Sequence, residues 1–210
     1  MHDCDAYQKY KNHRKWFNKL YLSEALGYEC GPAGIAPKKS KFYIVRPIYN
    51  LSGMGIGAEF KYIEADDTTQ VQPGYFWCEI FIGRHFSVTY DFNHNQTGTW
   101  EPISSFEGLR LEPDIWRFDK WIRSDVYPSV PRVLNELSDV KRINVEFKGD
   151  KVIEVHLRES TDPDYDELIP IWEDTKKDID KYKEIGYTYQ ESYEDGDGFL
   201  TTPRLGFMIK

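Results

Sequence analysis

Two neighbouring runs set acids and an imidazole at strand spacing: Ile143-Asn144-Val145-Glu146-Phe147 and, past Lys148-Gly149-Asp150, Val152-Ile153-Glu154-Val155-His156-Leu157-Arg158. Side chains alternate across a strand, so Ile153, Val155 and Leu157 share one face and Glu154, His156 and Arg158 the other. In the first run Asn144 and Glu146 stand opposite an apolar row. If both apolar rows enter one core, Glu146 and Glu154 face the same way. A register that pairs them leaves a three-residue loop, Gly149-Asp150-Lys151. Facing carboxylates repel unless a cation lies between them. Mg2+ held by two carboxylates and substrate phosphates meets that need. His156 beside them is a third candidate ligand, better suited to Mn2+ or Zn2+. A solvated face on which Arg158 and Lys148 neutralise the acids explains the same pattern without a metal.

Two further segments carry chemistry. In Phe42-Tyr43-Ile44-Val45-Arg46-Pro47 a strand ends in a cation, and Gly53, Gly55 and Gly57 follow. Glycines let backbone N–H groups wrap an anion, and the cation offsets its charge. The run is neither a Walker A loop nor a Rossmann turn, and a plain hairpin loop is the competing account. In Phe76-Trp77-Cys78-Glu79-Ile80-Phe81-Ile82-Gly83-Arg84-His85 an aromatic strand breaks at Gly83 and restarts. Such a crossing can offer backbone polar groups and apolar walls to a flat base, or be an antiparallel pair with a bulge.

The elements that must position these groups are mixed. A helix is expected over Tyr7–Leu26, stopped by Gly27. Strands are expected at Lys41–Val45, Ala58–Glu64, Gly74–Phe81, Ser87–Phe92, Ile143–Phe147, Lys151–Arg158 and Leu205–Ile209, and helices at Val130–Leu137 and Ile169–Ile185. The middle, with Trp100, Trp116 and Trp121, suggests turns and one short helix. No regular βαβ repeat appears, which favours an α+β fold. The chain of 210 residues is 40% hydrophobic and 16% aromatic, enough for a core. A net charge of −8 argues against general nucleic-acid binding. Cys4, Cys30 and Cys78 match no metal spacing and read as reduced thiols, no run could span a bilayer, and the polar N-terminus lacks a signal-peptide core. These features suggest a cytoplasmic protein.

Taken in order, the segments resemble the ATP-grasp superfamily over about Lys19 to Arg158. Tyr43-Ile44-Val45-Arg46-Pro47 looks like the family's strand-Lys-Pro element, and Gly53, Gly55 and Gly57 like its Gly-rich loop. Glu79, Ile80 and Phe81 resemble the adenine hinge, and Gly83-Arg84-His85 its Gly-Arg-Glu ending. Glu154-Val155-His156-Leu157-Arg158 is similar to the Glu-Val-Asn-Pro-Arg metal strand, with Glu146 as the first metal carboxylate. Lys19, followed by Gly27 and Pro32, resembles the first Lys and its Gly-x-Pro turn. The departures are Arg46 for Lys, His85 for the ribose-binding acid, His156 for Asn, a short spacing from Lys19 to Arg46, and no recognisable N-terminal substrate domain.

The resemblance implies two small α+β subdomains, about 1–80 and 81–210, whose antiparallel sheets enclose a nucleotide cleft. It implies ATP and Mg2+ (or Mn2+) and a ligase that turns a carboxylate into an acyl phosphate for capture by an amine or similar nucleophile. Lys19, Arg46, Gly53, Gly55, Gly57, Glu79, Phe81 and His85 would bind nucleotide, and Glu146, Glu154 and His156 the metal. Arg46, Arg142 and Arg158 would stabilise transferred charge. A non-catalytic nucleotide-binding or assembly module and a metal-dependent nuclease or hydrolase are the rivals. The stretches Trp100–Trp121 and Glu191–Asp197 could line the acyl site, but read more simply as core and solvated loop.

Overall fold

A computed structural model describes residues 1–210 except 52, 95–96, 111–116, 161, 163, 197 and 199. Trp116 and Asp197 therefore lie outside the described residues. The fold is α+β, with twelve described strands in two antiparallel sheets. The smaller sheet joins β1 (Cys30–Pro32), β2 (Lys41–Pro47), β3 (Glu59–Ile63) and β4 (Tyr75–Cys78) in the order β1-β4-β2-β3. The larger holds β5 (His85–Asn93), β6 (Thr99–Leu109), β7 (Lys120–Arg123), β8 (Arg142–Lys148), β9 (Lys151–His156), β10 (Glu167–Trp172), β11 (Thr188–Glu194) and β12 (Arg204–Ile209). Its order is β11-β12-β10-β7-β6-β5-β8-β9. Among the described residues no helix is long and apolar enough to cross a membrane.

The expected helix over Tyr7–Leu26 is three short pieces: α1 (Asp3–Lys9), a 3-10 turn (Lys11–Phe17) and α2 (Lys19–Ala25). Tyr10 leaves helical angles, and Asn18 is extended. The Asn18 Oδ1 accepts the Tyr21 N–H at 2.8 Å, so a new helix starts at Lys19. Residues from these pieces, among them Ala6, Trp16, Phe17 and Leu22, pack against Phe86, Val88, Val145 and Val155 of the larger sheet.

The helix expected over Ile169–Ile185 is replaced by β10, a 3-10 turn (Glu173–Asp178) and α3 (Ile179–Glu184). Leu168 through Trp172 are buried on both faces, a strand pattern without period-2 alternation. Pro170 is tolerated there. The Glu167–Lys210 hydrogen bonds turn its nitrogen away from β12, and β7 pairs with β10 only as far as Leu168. The expected helix at Val130–Leu137 is a short 3-10 stretch, Arg132–Leu137. In the middle segment expected to be turns and a helix, the described residues form β6 and β7, and β11 takes up residues expected to be an acidic loop.

Candidate functional site

One face of the larger sheet floors a cleft of about 1220 Å³. Cross-strand partners share a face, so the register traces that floor residue by residue. Asn144 stands against His156, Glu146 against Glu154, Ser87 against Glu146, His85 and Trp121 against Gly108, Leu168 against Trp121, and Trp172 against Arg204. Ile44 and Arg46 of β2 and Phe60 of β3 line the other wall.

Glu146 does pair with Glu154, but through a two-residue Gly149-Asp150 turn and not the expected three-residue loop. Below the pair the register shifts, with Phe147 against Val152 and Lys148 against Lys151, so Ile153 is the extra residue of a bulge. That bulge puts Val152 in the core beside Val155, turns Ile153 toward the cleft, and keeps both acids in the cleft. The turn also meets the hinge: a Cβ on Gly83 (φ 126°) would come within 2.9 Å of the Gly149 Cα. Gly83→Ala should therefore cost about 1–3 kcal/mol from backbone strain and crowding, read as a fall in denaturation midpoint; an unchanged midpoint would mean that this close approach is dispensable.

The acids sit in a charged network. Lys19, buried at the start of α2, places its Nζ 2.7 Å from Glu154 Oε2. His156 Nε2 lies 3.6 Å from Glu146 Oε1 and 4.0 Å from Glu154 Oε1, and His85 Nε2 lies 3.3 Å from Glu146 Oε2. Burial pushes the Glu146 carboxyl up, but His156 and His85 more than offset that and hold it well below the usual range. Behind His156 stands Asp3, which no sequence motif marked. Its buried carboxylate accepts His156 Nδ1–H at 2.8 Å and Arg158 Nε–H at 2.8 Å. Burial pulls the His156 pKa down, yet the Asp3 charge and hydrogen bond, helped by Glu146, raise it to about 10. Asp3 and Glu146 thus both favour the protonated form of His156.

Arg46 enters from the opposite wall. Its Nε is buried with no hydrogen-bond partner among the described residues, and its guanidinium lies 5.2 Å from the Phe76 ring. Burial lowers its pKa, while Glu154 acts to raise it. Gly53 and Gly55 line the cleft in the left-handed region, at φ 71° and 63°. Gly57 does not line it; a Cβ there would meet Pro47 and Tyr75 at 2.9 Å. Glu79 and Phe81 line the cleft beyond the end of β4, but the Glu79 Oε1 accepts the Glu29 N–H at 2.9 Å, and the Phe81 ring packs on Tyr28. Arg142 is bound bidentately by Asp91 at 2.6 and 2.8 Å and also by Glu159. Arg158 is committed to Asp3, so neither arginine is a free cation here.

For a metal, the donor set is two opposed carboxylates. Among the described residues no group of three or more His, Cys, Asp or Glu side chains could hold a metal ion.

No protein-family model matches the sequence, and no curated protein does. Among solved structures, the carboxyaminoimidazole ribonucleotide synthase of Aspergillus clavatus, complexed with ATP, aligns with a TM-score of 0.57 at 10% identity, over 93% of this chain and 68% of that one. The N5-carboxyaminoimidazole synthetase of Staphylococcus aureus, complexed with ADP, aligns with a TM-score of 0.54 at 13% identity, over 93% and 67%. The chain has the ATP-grasp fold. It is also similar to the L-amino acid ligase of Bacillus licheniformis, at 14% identity and a TM-score of 0.46, over 69% of this chain and 41% of that one. This chain thus spans less than half the length of that ligase. In ATP-grasp terms, the cleft described above is the space between the fold's two sheets.

Proposed function

We propose that this chain binds ATP with a divalent cation in the cleft and activates a carboxylate as an acyl phosphate, which an amine or similar nucleophile captures. Arg46 carries the reading: its buried Nε lacks a hydrogen-bond partner among the described residues, and its charge is felt by Glu154 and Glu146 in a cleft that Gly53 and Gly55 also line. Leaving such a donor unsatisfied costs about 1–3 kcal/mol, so the site calls for an anion, and a cation bound with it could take the place of Lys19 beside the opposed acids. A phosphate chain carrying Mg2+ supplies both.

In this reading Arg46 holds the phosphates, with Gly53 and Gly55 presenting backbone to them. Lys19, now paired with Glu154, would be available to the phosphates if a cation took its place there. Glu146 and Glu154 hold the metal. Asp3 and His156 sit behind them and fix their orientation, with His156 Nε2 within 4.0 Å of both acids. Bound ATP would supply the phosphoryl group that makes the acyl oxygen a leaving group, and the protein's part is alignment and charge neutralisation. The Lys19–Glu154 ion pair also suits a second reading, a nucleotide-binding module that uses no metal.

Thermal unfolding with ATP, with Mg2+ or Mn2+, and with both distinguishes these readings. One site filled to about 100 times its dissociation constant adds about 2.7 kcal/mol. A rise that needs both components is expected, because two carboxylates alone are a weak site. A rise with ATP alone supports the module reading. A rise with metal alone, or none at all, overturns the proposal.

A further inference from the structure

At the other end of the cleft floor stands a second guanidinium, that of Arg204. The Arg204 Nε is buried and has no hydrogen-bond partner among the described residues. Asp162 and Glu194 act on its charge from nearby, yet neither forms an ion pair with it among the described residues.

Its direction is built into the strand. Between Gly206, which faces Ile171, and Arg204, which faces Trp172, the register shifts, so Leu205 is the extra residue of a bulge. Without that bulge Arg204 and Phe207, three residues apart, would point to opposite faces. With it, Arg204 joins the cleft face and its guanidinium lies 4.3 Å from the Phe207 ring centre. Gly206 permits the geometry, since a Cβ there would meet the Gln190 carbonyl oxygen at 2.3 Å.

The surroundings are aromatic. Phe106, Trp121, Tyr165, Trp172 and Phe207 line this part of the cleft, with the Phe106 and Tyr165 rings 4.3 Å apart. The location is distinct from the acids. From β8, which carries Glu146, to β12 there are five strand spacings in the sheet order, about 24 Å along the sheet at about 4.8 Å each. Half-buried Asp162 also lines the cleft and feels the charges of both Arg204 and Glu146. The volume of about 1220 Å³ exceeds the roughly 300–1,000 Å³ typical of one small-molecule site.

We infer that Arg204 anchors an anionic group, carboxylate or phosphate, of a second substrate whose flat apolar body lies on this aromatic floor, with its reacting end toward Glu146 and Glu154. The ligand's role as a substrate rests on the function proposed above; the subsite itself does not. A guanidinium among aromatic walls selects ligands that are both charged and apolar, because either feature alone leaves the other half of the site unsatisfied.

The test is titration calorimetry of the full chain with 2-naphthoate, 1-naphthyl phosphate, the neutral 2-naphthalenemethanol, and acetate. The wild type should bind one or both naphthyl anions at least about tenfold more tightly than the alcohol or acetate. Which anion binds better identifies the group as carboxylate or phosphate. Arg204→Met should bring the preferred anion down to the level of the alcohol, and Arg204→Lys should keep part of the preference. No binding of either anion, equal binding of anion and alcohol by the wild type, or wild-type affinity in Arg204→Met would overturn the inference. If Arg204→Met does not fold, the wild-type preference and Arg204→Lys decide. Stabilisation of the wild type by ATP and Mg2+ is read in parallel: its failure beside a preserved anion preference removes the nucleotide reading alone, and the reverse pattern removes the Arg204 subsite alone.

Discussion

Glu154→Gln is expected to lower metal-dependent ATP turnover by about a thousandfold, the scale on which removal of one preorganised electrostatic group acts, while the protein stays folded. The change keeps the side chain's shape and removes its charge. Glu154 stands directly opposite Glu146, and without it the cation loses one of its two opposed carboxylates. Its present partner, the Lys19 Nζ at 2.7 Å, keeps the amide oxygen as an acceptor, so the fold loses charge pairing but not the hydrogen bond. Steady-state turnover at saturating ATP, beside a melting curve, separates the two effects. Turnover at the wild-type rate would remove Glu154, and with it the opposed-acid metal site, from the mechanism.

The largest stability effect is expected at Asp3. Asp3→Asn should destabilise the protein by about 3–5 kcal/mol, the cost of breaking a buried ion cluster from one side, which for a chain of this size is roughly 6–20 °C in melting temperature. The aspartate is 4% exposed and holds two cations, His156 through Nδ1 at 2.8 Å and Arg158 through Nε at 2.8 Å. Asparagine fits the space, offers one acceptor oxygen and no charge, and leaves imidazolium and guanidinium facing each other. Because Asp3 begins α1 while His156 ends β9, the loss also frees the N-terminal segment from the strands that carry the acids. Differential scanning calorimetry measures the shift; a change of under 2 °C would mean that the cluster contributes little net stability.

How much of this was legible in the sequence differs element by element. The alternation in Ile143–Phe147 and Val152–Arg158 was enough to put Glu146 and Glu154 on one face and opposite each other, because burying both apolar rows admits no other parity. It did not show how the parity is met. A bulge at Ile153 and a three-residue loop satisfy the same pattern, and the choice depends on how tightly Gly149 must approach Gly83. The reading of Ile169–Ile185 as one helix went wrong where a fully buried strand loses its period of two. Only the neighbours of β10, with its pairing to β7 ending at Leu168, explain why proline is accommodated there.

Local chemistry alone determined the α+β mixture, the strand that ends in Arg46, the left-handed glycines after it and the facing acids, since each follows from side-chain alternation or from a backbone angle that only certain residues adopt. What lies behind and beside those groups was settled by tertiary structure: Asp3 reaching His156 across 153 positions of chain, Arg142 spent on Asp91 and Glu159, and a bulge at Leu205 that turns Arg204 into the cleft. The physical reason is that burial and charge pairing are set by distance in space. A carboxylate two residues from the N-terminus carries no sign in the sequence of the imidazole it will hold.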